Sequence, residues 1–252
     1  LSVDVNLPLL LETGTRVDRA RQPVARTGLE NDMSNIIVTG AFGSLGRAVI
    51  AELGARNYGI AAIDLAPAPD DVPDVMALSG VDLTDAHSVV AAFDSVARQL
   101  GSIDGLVNVA GGFLWQLVAG AGIAHWEVMQ RINLHTAVLA SQAVLKHMQT
   151  GAIVNVGAAG AVNPAAGMGA YAAAKAGVMA LTESLAEELK PHVRVNAVLP
   201  TILDTPANLN DMPEADHASW VQPAAAAKVI AYLLSDDAAA VTGAGIRLSL
   251  PG

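Results

Sequence analysis

Tyr171 and Lys175, in Tyr171-Ala172-Ala173-Ala174-Lys175, set a phenol and an ammonium four residues apart. On a helix that spacing is one turn on one face. An ammonium so close favours phenolate, drawing a group of ordinary pKa near 10 toward neutrality. Proton transfer is the chemistry such a pair suits. A second stretch suits phosphate. Ile36-Ile37-Val38 runs into Thr39-Gly40-Ala41-Phe42-Gly43-Ser44-Leu45-Gly46, where glycines 40, 43 and 46 let backbone approach a pyrophosphate. Ser44 and Leu45 open a helix whose free N–H groups and positive dipole end would meet its charge. Asp64 ends the next apolar run, about 20 residues on, where a carboxylate accepts hydrogen bonds from adenosine ribose hydroxyls and repels a 2′-phosphate. Apart from Arg47, neither the turn nor residues 65–68 supply a cation. The implied cofactor is NAD rather than NADP.

These residues need elements to hold them. From 35 onward, short apolar runs alternate with segments of helical period. The runs 35–40, 59–64, 75–81, 103–110, 151–157, 193–199 and 245–250 read as strands, and 44–56, 85–100, 124–149, 171–190 and 223–235 as helices. Alternation at this spacing requires crossover connections. The expected fold is therefore α/β, a Rossmann-type doubly wound, mostly parallel seven-stranded sheet with helices on both faces. Such a sheet binds ligands at the carboxyl ends of its strands, where the turn after 35–40, Asp64 and the helix carrying Tyr171 all fall. Residues 33–252 read as a single NAD-binding catalytic domain. Residues 1–32, with Pro8, Pro23, four arginines and no clear period, read as an N-terminal extension, either an arm or a start placed too early. Its apolar stretch 7–11 is too short for a secretory signal and precedes its basic residues.

Composition narrows the partners. The chain has 252 residues, 52% of them hydrophobic, and 24 acidic against 14 basic residues give a net charge of −10. A broad phosphate-binding surface would work against that field, so no nucleic-acid partner is expected. There is no cysteine, which excludes disulfides, thiolate metal sites and a cysteine nucleophile and suits a cytoplasmic protein. Apolar stretches break well before the roughly 18 residues of a membrane span. His125, His135 and His147 lack the i, i+4 spacing of a ligand pair, and no metal is expected.

Asn108-Val109-Ala110-Gly111 closes the fourth predicted strand. Together with the glycine turn and the Tyr171–Lys175 pair, it makes residues 35–252 resemble the short-chain dehydrogenase/reductase family. The resemblance implies that Tyr171 donates or accepts a proton, and that Lys175 binds the nicotinamide ribose and lowers the tyrosine pKa. It also implies that Asn133 supports a proton-relay water. Asp82 and Leu83 would contact adenine, although Asp82 and Thr84 could equally cap the following helix. Ala110 and Gly111 would line the cofactor, and the loop from Pro200 through Thr201 and Ile202 to Thr205 would cover the nicotinamide, with Thr201 in place of the usual glycine. The family also suggests a homo-oligomer, a tetramer or dimer, joined through helices 124–149 and 171–190. Ala172, Ala173, Ala176 and Ala180 would give those helices a small face.

One departure is chemical. The family places a serine thirteen positions before the tyrosine to polarise a substrate carbonyl, and this chain has Ala158 there. Losing such a donor costs a simple ketone about 2–4 kcal/mol of transition-state stabilisation. Residues 200–220, notably Leu203-Asp204-Thr205-Pro206-Ala207-Asn208, resemble quinoid dihydropteridine reductases, which also lack the serine and reduce an electron-poor ring. The expected function is an NAD(H)-dependent oxidoreductase for a small, cyclic, conjugated substrate, quinonoid or carbonyl. An ordinary alcohol or ketone dehydrogenase with a substitute for the serine, and a redox-inactive NAD-binding protein, are the alternatives. Trp115, Gln116 and Trp220, with Ala158, are candidate walls of the substrate pocket.

Overall fold

The structure, a computed structural model, describes residues 34–72 and 75–250; the predicted extension 1–32 lies outside them. Seven strands, β1 Asn35–Thr39, β2 Gly59–Ile63, β3 Met76–Leu78, β4 Gly105–Asn108, β5 Gly151–Val156, β6 Val193–Pro200 and β7 Gly245–Leu248, form one sheet in the order β3-β2-β1-β4-β5-β6-β7. Every pairing is parallel, so the sheet meets the doubly wound expectation in full.

Alternation along the strands splits the core in two. Ile36 and Val38 of β1 join Val107, Val154 and Val198 against α1 (Ser44–Ala55) and α7 (Pro223–Leu234). Ile37, Leu106, Ile153 and Val195 point the other way. They meet α2 (Ala86–Leu100), α4 (Thr136–Val144) and α5 (Gly169–Glu188). A sheet covered on both faces needs continuous apolar strands, which is what these residues supply. Ala226, Ala227 and Ala231 are buried on α7, where small side chains permit close packing against α1. Asp85 caps α2 by accepting from the His87 and Ser88 backbone N–H groups, as N-cap carboxylates do.

The helix predicted over 124–149 is interrupted. α3 spans Ile123–Gln130, Arg131–His135 make a π-helical turn, and α4 resumes at Thr136. Within that turn the Asn133 Nδ2 donates to the Met129 carbonyl and also to Gly112, so a tertiary contact accompanies the widened turn. Such bulges gather at functional sites. A further short helix, α6 (Pro206–Asp211), was absent from the predicted elements; Thr205 caps it and Pro206 opens it. Strand order reverses between β1 and β4, and the cleft opens at their carboxyl ends, as expected for open α/β sheets.

Candidate active site

Beyond β1 the backbone turns sharply at Gly40, whose φ is +61° and whose missing Cβ would sit 2.7 Å from the Ala110 backbone. At Gly46 a Cβ would fall 2.2 Å from the Gly40 carbonyl oxygen. These contacts bring the loop after β4 and the start of α1 together. Gly43 occupies the N-cap of α1 without a side-chain cap. The first N–H groups of α1, from Ser44 onward, thereby have no side-chain cap, an arrangement that suits an anion.

Asp64 follows β2. Its Oδ2 accepts from the Phe42 N–H at 2.9 Å and its Oδ1 from the Ala66 N–H at 3.0 Å. The carboxylate is thus fixed to the glycine turn. Arg47, the one cation the sequence left near this position, pairs with Asp71. Asp82 accepts from both the hydroxyl and the backbone N–H of Thr84, which hold its carboxyl below the usual range. Leu83 is buried in the core beside α2.

A cleft of about 770 Å³ takes in Leu45, Gly111, Asn133, Ala158, Tyr171, Lys175, Pro200, Thr201, Ile202 and Thr205 among the anticipated residues. Lys175 is 5% exposed, and its Nζ donates to the Val156 carbonyl at 2.7 Å. It lies 6.0 Å from the centre of the Tyr171 ring. Phe113 meets that ring edge-on, with centroids 5.1 Å apart. Burial lowers the Lys175 pKa to about 8 and raises that of Tyr171 to about 12. The sequence expectation of a phenol drawn toward neutrality is corrected here. Desolvation of the phenolate outweighs an ammonium that is already held by a carbonyl.

Asn133 is 1% exposed. Its Oδ1 accepts from the Gly112 N–H and its Nδ2 donates to the Gly112 carbonyl, at 3.2 and 2.9 Å. A side chain on Gly111 would stand 2.6 Å from Asn133 Oδ1 and 3.4 Å from Lys175 Nζ. The π turn, the loop after β4 and α5 therefore meet at one point.

Three predicted wall residues lie elsewhere. Trp220 is 2% exposed and packs its ring on His217, with centroids 4.4 Å apart; the bridge between Leu203 and Val221 holds its neighbourhood to the chain before α6. Trp115 is 58% exposed and donates to the Ala166 carbonyl. The Gln116 N–H donates to Gly167. The last two order the approach to α5 without joining the cleft walls. Sequence reasoning missed Phe113, Asn163, Met168, Asn208, Met212 and Arg247, all of which line the cleft. Asn208 and Met212 sit on and just after α6, so recognising its Thr205-Pro206 cap would have drawn attention to them.

A profile described as short chain dehydrogenase matches residues 34–215. Cis-4-hydroxycyclohexanecarboxylate dehydrogenase of Sinomonas cyclohexanicum is 36% identical over 236 residues, 82% of this chain and 92% of that protein. D-threitol dehydrogenase of Mycolicibacterium smegmatis is 34% identical, covering 83% of this chain and 89% of its own length. Among solved structures, carveol dehydrogenase from Mycobacterium avium in complex with NAD superposes with a TM-score of 0.76 at 27% identity, over 85% of this chain and 95% of that one.

Proposed function

This chain belongs to the short-chain dehydrogenase family and is an oxidoreductase, and from that premise we propose that it exchanges hydride between NAD(H) and a small cyclic substrate. The observation that carries this reading is the meeting of Tyr171, Lys175 and Asn133 in one cleft at the strand-order reversal. The residues present fit the dinucleotide. Gly40, Gly43, Ser44 and Gly46 shape an uncapped helix start for the pyrophosphate, and Asp64 serves the adenosine ribose. Gly111 and Lys175 flank the nicotinamide end, with Ala110 behind the turn. The 200–205 loop borders the same end, and Asp82 and Leu83 the adenine side. NAD supplies the hydride acceptor or donor.

The protein's own part is proton handling and positioning. Tyr171 Oη gives a proton to, or takes one from, the substrate oxygen. Lys175 holds the ribose side and supplies the charge beside the phenol. Asn133 fixes Gly112 and the adjoining backbone. Ala158 presents a methyl where a hydroxyl would polarise a carbonyl, which favours a conjugated or quinonoid acceptor that carries its own electron deficiency. The names of the two curated relatives favour a second reading, a plain cyclic or polyol alcohol as substrate, with a cleft amide or hydroxyl such as Asn163 or Thr201 as the missing donor. We also propose a homo-oligomer acting without nucleic acid or membrane. Among the described residues, no helix is long and apolar enough to cross a membrane.

NADH absorbance with a panel of quinones, conjugated cyclic ketones and simple ketones, and NAD reduction by cyclic alcohols, tests the proposal. Turnover of conjugated acceptors ahead of simple ketones is expected. Tight NADH binding with no turnover of any member would instead make this an NAD-binding module.

A further inference from the structure

We propose that Arg247 is an anion anchor, and that the substrate is a small ring bearing a carboxylate or similar acidic group; this deepens the reading above and rests on it. Arg247 lies on β7, opposite Leu199 of β6 in register. Its neighbours Ile246 and Leu248 pack into the core beside α1 and α7, so alternation sends Arg247 to the other face. That face carries the substrate end of the cleft. Leu199 reaches Gly157, where an added Cβ would stand 2.5 Å from its Cδ2, and Ala158 is next in the chain. Arg247 thus reaches the cleft from the β6–β7 side, across the sheet order from the α1 cradle.

The charge inventory points the same way. Among the described residues the cleft lining holds two cations, Lys175 and Arg247, and no carboxylate. Lys175 is buried and bonded to Val156. Among the described residues the Arg247 side chain has no hydrogen-bond or ion-pair partner. In a chain of net charge −10 the general field repels anions, so an acidic substrate needs a dedicated cation at its site. A guanidinium offers a carboxylate two parallel hydrogen bonds and so fixes the ring's orientation as well as its charge.

Calorimetry on the full chain with cyclohexanecarboxylate and cyclohexanecarboxamide, two rings of one shape that differ in charge, tests this without turnover. Arg247 is exposed, so the wild type should bind the acid more tightly than the amide by roughly 2- to 5-fold, the range of an ion pair open to solvent. Added salt should reduce that ratio. In Arg247→Gln the ratio should collapse toward one, and Arg247→Lys should retain part of it. Equal affinity for both rings in the wild type, binding of neither, or a preference that survives Arg247→Gln would overturn the proposal and leave Arg247 as a charge guarding a sheet edge. Failure of every quinone, ketone and cyclic alcohol of the panel to exchange hydride with NAD(H) would overturn the hydride-transfer reading, while a charge preference erased by Arg247→Gln would still stand.

Discussion

An ammonium as enclosed as Lys175 holds its charge against desolvation, with the Val156 carbonyl in partial compensation. Between pH 8 and about 10.5 the unfolded chain keeps a proton on this lysine that the folded protein has released, so stability rises with pH across that window. Tyr171, raised to about 12, has the opposite sign, costing stability as pH rises from about 10 to 12. Lys175→Met removes the first effect. Its stability relative to wild type, by urea denaturation without cofactor, should decline by up to about 3 kcal/mol from pH 8 to 10.5. A constant difference would mean that the lysine is not desolvated. Tyr171→Phe should lower kcat by roughly 10²–10⁴ while leaving the NADH dissociation constant within a few-fold, because a lost hydroxyl removes the proton path and keeps the ring against Phe113. Full turnover by Tyr171→Phe would sink the mechanism. Asp64→Asn keeps an acceptor for the Phe42 or Ala66 N–H and removes the charge. A wild-type preference for NADH over NADPH of at least about tenfold should shrink in the variant, through KM for NADPH. Comparable kcat/KM for both cofactors in the wild type would defeat that assignment of Asp64. The four-residue spacing of Tyr171 and Lys175 was legible without coordinates, but the direction of the Tyr171 shift was not. Burial depends on Phe113 and the loop after β4, far away in sequence.

Element by element, the strands were readable because buried parallel strands are written as unbroken apolar runs, and the structure trims most of them by a residue or more at an end. α5 begins two residues ahead of the prediction at Gly169, since Gly167 and Gly169 obscure its start. The π turn was not readable, because the contact that accompanies it, Asn133 to Gly112, spans 21 positions. That contact also makes Asn133 a joint between elements. Asn133→Ala would leave the half-buried Gly112 N–H and carbonyl without their side-chain partners, a loss of about 1–3 kcal/mol. Denaturation should show that loss, and NADH affinity should fall with it as the backbone at 111–112 loosens. Unchanged stability would mean that water replaces the amide, and the joint would have to be assigned to another contact.

At the scale of the molecule, the surface beside the cleft is unusually apolar. Phe113, Leu114, Trp115, Leu117, Val118 and Ile123 are all exposed within eleven positions. Val118 reaches the start of α5, standing 3.1 Å from where a Gly169 Cβ would be. On α5 itself Ala173, Ala176 and Ala180 are exposed, whereas Ala172, expected on the same small face, turns into the fold. The exposed three lie at i, i+3 and i+7, a stripe on which a second helix could approach closely. A net charge of −10 opposes self-association through the general field, so any stable assembly has to draw on apolar contact. Salt then acts on the repulsion more than on the attraction. Sedimentation at micromolar concentration should therefore show a dimer or tetramer that tightens as salt is raised. Ala176→Glu, which puts a carboxylate and its bulk in the middle of the stripe, should yield a smaller species with the fold intact by circular dichroism. A stable wild-type monomer would end the proposal of an oligomer, and an assembly indifferent to Ala176→Glu would move its interface away from α5, leaving the apolar loop at 113–123 as the next surface to substitute.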